Sequence, residues 1–191
     1  MKKLVKFKTN RGMSYVELIV VLSIFSVMSS VVIFNYKEFQ GKVDIKNLAS
    51  DIALKVVEAQ NASLSGKLPV QSFSANWKPS YGVYLDITTP TQFIYFVDLN
   101  NLNGYEGGEM LDTITITKGN YISKIESYLS STATSITNPL AITFKRPDSK
   151  AVFYSNNSEL TGFDYLQITI ASLKSATATI KVYPSGRIQV N

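Results

Sequence analysis

The chain has 191 residues, 45% of them hydrophobic and 12% aromatic, with 19 Lys and Arg against 14 Asp and Glu. It contains no Cys and no His, which excludes disulfides, thiol nucleophiles, imidazole general bases and the usual His or Cys zinc shells. That length accommodates one modest globular domain beside a membrane segment, and the apolar content suffices for a core that no disulfide reinforces.

Residues 1–12 carry Lys2, Lys3, Lys6, Lys8 and Arg11 and no acid, so the rest of the chain balances at 14 cations against 14 acids. The basic surplus belongs to this short leader, and the remainder lacks the net charge of a nucleic-acid binder. Next comes Met13 to Phe34, 22 residues with one charge, Glu17. At about 1.5 Å per residue it reaches roughly 33 Å, enough to cross a hydrocarbon core of roughly 30 Å. The apolar core of a secretory signal peptide is shorter, and no A-x-A-like cleavage site follows this one. The positive-inside bias keeps the leader cytoplasmic, which places everything after the helix outside. Glu17 is the anomaly, because a carboxylate at the bilayer centre costs roughly 2.5 to 3.5 kcal/mol on insertion scales. It calls for a partner.

Gly12-Met13-Ser14-Tyr15-Val16-Glu17, between a basic leader and an unbroken apolar helix, resembles the N-terminal signature of type IV pilins and type II secretion pseudopilins. The resemblance implies that a prepilin peptidase cuts between Gly12 and Met13 and that Met13 becomes an N-methylated first residue. Glu17 then occupies the family's acidic fifth position, where it meets the free amine of a neighbouring subunit and sets register during assembly. The local alternative is a carboxylate that stays near the membrane edge and pairs with its own helix N-terminus. Ser26 and Ser30 form a small-xxx-small pair suited to close helix packing in lipid, or else they bond back to their own helix carbonyls.

Residues 35–65 turn polar without a proline, and Ile45, Leu48, Ile52, Val56 and Ala59 recur at helical spacing. Asp51 and Lys55 form an expected i,i+4 pair on another face. Gly66 and Pro69 supply stop signals, so a continuous helix over 13–65 spans 53 residues, with Gly41 as its weakest position.

From Leu68 the period falls to two. Tyr81, Val83, Leu85 and Ile87 alternate with polar or small residues, as do Ile114 and Ile116, and again Leu166, Ile168 and Ile170. Further strands are expected at Gln92–Asp98, Tyr121–Tyr128, Ala141–Lys145, Ala151–Tyr154 and Thr177–Tyr183. The last of these turns at Pro184-Ser185-Gly186 into Ile188 and Val190. Ser130 to Asn138 reads as a solvated loop. The expected fold is α+β. It comprises a cleaved leader (1–12), a transmembrane helix (13–34), its amphipathic continuation (35–65) and an antiparallel β-rich head (66–191).

The head stretches YGVYLDI, FIYFVDLNNLNGYEGGE, LAITFKRPDSKAVF and TIKVYPSGRIQV resemble, in that order, GspH/FimT-type minor pilins and pseudopilins. The resemblance implies a structural subunit of a type IV pilus or type II secretion pseudopilus. Its partners would be other pilins, the peptidase and an inner-membrane platform protein, and no cofactor is implied. The alternative is a tip or surface binding module. Some FimT-type relatives bind DNA through a C-terminal Gly-Arg followed by a second Arg two positions on, and here Arg187 is retained while Gln189 stands at the second place. Lys145, Arg146, Lys174 and Lys181 are the cations that could join Arg187. Asp98, Asn100 and Glu109 bring oxygen ligands into one Gly-rich loop, but Leu102 and a late Gly104 break EF-hand spacing, which favours a structural turn over calcium. Trp77 and Tyr81, Tyr84, Tyr95, Tyr105 and Tyr121 are read as core and cross-strand packing before an exposed stacking platform. No catalytic constellation emerges.

Overall fold

A computed structural model of the chain describes residues 12–70, 78–156, 158–173 and 176–191. The leader cations before Gly12, Trp77 and Lys174 lie outside the described residues. The chain divides into two compact units, the boundary falling between Gln40 and Gly41.

The first unit is the N-terminal part of helix α1, Tyr15–Ser65. The helix begins two residues later than the sequence suggests because Ser14 caps it. The Glu17 backbone N–H donates to Ser14 Oγ at 3.2 Å, and the Ser14 N–H donates to Glu17 Oε2 at 3.4 Å. That reciprocal pair is a capping box, which satisfies two of the otherwise orphaned donors of the first turn. Beyond it the helix is long and apolar enough to cross a membrane. Its large side chains, from Val16 to Phe34, are all exposed in this unit. Such a surface is stable only against lipid or other apolar chains.

The second unit, Gly41–Asn191, takes in the remainder of α1. Ile45, Ile52, Val56 and Ala59 are buried as their spacing predicts, and Ala49, Ala53 and Ala62 widen the buried stripe with small side chains that let the sheets approach closely. The helix ends in a Schellman motif: Gly66 takes φ +74°, its N–H donates to Ser63 O, and the Lys67 N–H donates to Ala62 O. Lys55 pairs with Glu58 at 2.9 Å, not with Asp51 as its spacing suggests.

Two antiparallel sheets complete this unit. One contains β1 (Ser80–Leu85), β2 (Gln92–Asp98), β3 (Met110–Thr115), β6 (Leu140–Phe144), β7 (Ala151–Ser155) and β8 (Ser158–Leu160), in the order β3-β2-β1-β6-β7-β8. The other contains β4 (Asn120–Leu129), β5 (Thr132–Ser135), β9 (Tyr165–Ser172), β10 (Thr177–Val182) and β11 (Ile188–Val190), in the order β11-β10-β9-β4-β5. Their inner faces share one core with the helix stripe, including Tyr81, Val83, Leu85, Ile142 and Phe153 from the first sheet and Ile125, Leu166, Ile168, Ile170 and Ile180 from the second. The class is α+β, with one long apolar N-terminal helix and a β-rich antiparallel domain.

The Ser/Thr run is not a plain loop. Ser130 and Ser131 both take positive φ, 46° and 74°, and Leu129 pairs with Thr132, so a two-residue hairpin turn returns the chain as edge strand β5. All four β5 residues are exposed, which is why no alternation marks it.

Candidate functional site

Gly12 and Met13 precede the helix and are exposed, with Glu17 in the first turn. Glu17 already has a partner within its own chain, the Ser14 N–H. Ser26 and Ser30 stand one turn apart on the exposed apolar helix, and the nearby Ser23 hydroxyl donates back to Val20 O at 2.8 Å.

The Asp98–Glu109 stretch is a structural loop held by its own acids. Asp98, fully buried, accepts the N–H groups of Asn100 and Asn101 on Oδ1 and of Asn103 on Oδ2, at 3.2, 2.7 and 3.1 Å. Glu109 accepts the Leu99 N–H on Oε1 and the Glu106 N–H on Oε2, both at 2.9 Å. Asn100 Nδ2 donates to Glu106 Oε2, and Asn100 Oδ1 accepts the Leu102 N–H, both at 2.9 Å. Burial pushes the Asp98 and Glu109 carboxyls above the ordinary carboxylate range, although the backbone donors pull both the other way. Among the described residues no group of three or more acids is placed to hold a metal ion. The oxygens that suggested calcium, on Asp98, Asn100 and Glu109, all accept backbone amides of the loop.

The loop covers part of the outer face of the first sheet. Tyr105 tilts against Tyr84 with ring centroids 4.8 Å apart and meets Phe96 edge-on at 5.6 Å. Phe96 in turn lies over Gly82, where a Cβ would clash with its ring and with Ile142 O. Tyr81 and Tyr95 are core residues stacked on one another. Of the tyrosines singled out from the sequence, Tyr84 and Tyr105 therefore belong to a surface cluster and Tyr81 and Tyr95 to the core; Tyr121 is half-buried.

Arg187 sits at the end of a row across the outer face of the second sheet. Its guanidinium lies 3.8 Å above the Tyr183 ring, Tyr183 is 5.5 Å from Tyr165, and Tyr165 stacks on Tyr128 at 4.9 Å with planes 10° apart. Lys181 places its ammonium 4.6 Å over Tyr165. No salt bridge among the described residues ties up Arg187 or Lys181. Arg146 is elsewhere, donating to Lys67 O at the helix C-terminus. Tyr128, Tyr165 and Tyr183 were not singled out in the sequence, yet the signal is there. Tyr165 leads the alternation of β9 and Tyr183 continues that of β10, so both face away from the core, and register sets Tyr128 of β4 opposite Tyr165 on the same face.

Comparison of the chain with protein-family models, with curated proteins and with solved structures finds no match.

Proposed function

We propose that the chain is a filament subunit of pilin type, a minor pilin or pseudopilin of a type IV pilus or type II secretion pseudopilus. One combination carries the reading: the Gly12-Met13-Ser14-Tyr15-Val16-Glu17 junction opens a helix whose first half is apolar and uncovered and whose second half is core to a β-rich head. The subunit is held in the cytoplasmic membrane with its leader inside and its head outside. A prepilin peptidase removes residues 1–12 and methylates Met13. An assembly platform then passes the helix from lipid into a bundle of other pilin helices, where Glu17 pairs with a neighbour's terminal amine. A low-dielectric bundle makes that pair favourable only when both charges are present. The role is structural, with no cofactor and no catalysis. The test is filament incorporation of Glu17→Leu, which still inserts and is still cleaved but fails to assemble; normal incorporation would sink the reading.

A second reading is favoured by the Arg187 row: a tip or surface subunit whose head holds an anionic polymer such as DNA. Arg187 and Lys181 lie over tyrosine faces, and among the described residues no carboxylate forms a salt bridge with either. Fluorescence anisotropy with labelled DNA tests it. Binding that is lost in Arg187→Ala/Lys181→Ala supports this role, and no binding at low salt removes it.

A further inference from the structure

The outer face of the first sheet carries a recess that neither reading uses. Register places Tyr84 of β1 opposite Ala141 of β6, and Ala141 opposite Tyr154 of β7. One cross-strand row thus reads large, small, large, and the missing bulk at Ala141 leaves a floor between two tyrosines. Tyr105 and Glu106 of the 99–109 loop line the same cavity, which has a volume of about 380 Å³, within the range of roughly 300 to 1,000 Å³ typical of small-ligand sites.

We propose that this recess binds an alkylammonium group of the choline class. Neighbouring strands lie about 4.8 Å apart, so Tyr84 and Tyr154 rise from backbones about 9.6 Å apart. A cation midway between them lies within the roughly 6 Å over which an aromatic face attracts it. A flat ring sandwiched between two others would need them closer. The charge around the recess agrees. Among the described residues lining it there is one carboxylate, Glu106, and no Lys or Arg. Asp98, the last residue of β2, and Glu109 are buried at the two ends of the loop that supplies Tyr105 and Glu106.

The walls are set before any ligand arrives. Asn103 Nδ2 donates to the Tyr154 hydroxyl at 3.1 Å, and the Thr143 hydroxyl donates to Asn103 O at 2.8 Å, which ties the loop to β6 and β7. Tyr105 is wedged between Tyr84 and Phe96. A site whose aromatic faces are already ordered loses little side-chain entropy on binding.

The experiment is calorimetric titration of the full chain, in maltoside micelles at fixed ionic strength, with choline chloride, tetramethylammonium chloride, glucose and N-acetyl-lysine amide. Choline and tetramethylammonium are expected to bind saturably. Tyr84→Ala and Tyr154→Ala weaken them about tenfold or more, while Tyr154→Phe, which keeps the ring, stays within about threefold. Ala141→Leu fills the floor and abolishes binding, with an unchanged unfolding temperature showing that the head is intact. The proposal is overturned if choline gives no saturable heat, if Ala141→Leu binds it normally, if glucose binds and choline does not, or if the lysine amide binds more tightly than choline. None of these outcomes depends on whether the chain polymerises.

Discussion

Ser14 and Glu17 cap each other: each backbone N–H is satisfied by the other's side chain, at 3.4 and 3.2 Å. The carboxylate that the sequence marks as a misplaced charge therefore also starts the helix. These two roles separate by substitution, because glutamine serves the N3 position of a capping box as glutamate does but carries no charge.

Glu17→Gln and Glu17→Leu are expected to fail equally in filament assembly if the negative charge is what the neighbouring subunit recognises. Quantitative immunoblotting of sheared filaments checks it. Assembly by Glu17→Gln at the normal level would reduce Glu17 to a cap. Ser14→Ala removes the cap alone and should weaken the helix start by about 1 kcal/mol, read as faster amide exchange at Tyr15 to Glu17.

Gln60 clasps two distant turns. Its Nε2 donates to Ser149 O at 2.9 Å and to Gly186 O at 3.1 Å, and Gly186 holds φ +85° with no room for a Cβ beside Ser149. Gln60→Ala is expected to lower head stability by about 1 to 2 kcal/mol. Gly186→Ala should cost more, since strain at positive φ adds to the steric clash. Denaturant unfolding followed by circular dichroism measures both.

The pH dependence of stability has a defined sign. Burial raises the folded-state pKa of Asp98 and Glu109 above their unfolded values of about 4. A carboxyl raised in this way contributes most below its unfolded pKa and loses that contribution as pH rises through the folded pKa. Acidification toward about pH 4 should therefore add stability through these two groups. Glu109→Gln, less stable throughout because its amide faces a backbone N–H, should show a smaller gain in the same denaturant series. Because backbone amides occupy these oxygens, calcium or a chelator should leave the wild-type unfolding temperature unchanged.

Gly41 is helical, half-buried and has nothing within 4 Å of where a Cβ would stand. Gly41→Ala should stabilise the helix by up to about 1 kcal/mol, seen as a higher unfolding temperature. A lower one would mean that the glycine serves a backbone conformation other than the helical one.

The helix and most strands were legible because each repeats a period that burial enforces. Ile45, Ile52 and Val56 recur at helical spacing, and Leu166, Ile168 and Ile170 at two. Gly66 marked the helix end through its backbone freedom. Strands β5 and β8 were not legible, since short edge strands carry no buried alternation. The surface sites were hidden for a different reason. Tyr84, Ala141 and Tyr154, like Tyr128, Tyr165 and Tyr183, come together only through sheet order and register, which join residues far apart in the chain. The roles of Asp98 and Glu109 depended on which backbone amides the loop turned toward them, and composition alone does not specify that.

The proposed pairing of Glu17 requires that residues 1–12 be removed to create the amine it meets. Intact-mass and N-terminal peptide spectrometry of the protein, purified from membranes of cells with an active prepilin peptidase, tests it most directly. The expected result is a chain that begins at a methylated Met13. A chain that retains Lys2 to Gly12 under those conditions would contradict it and leave a single-pass membrane protein that does not enter a filament.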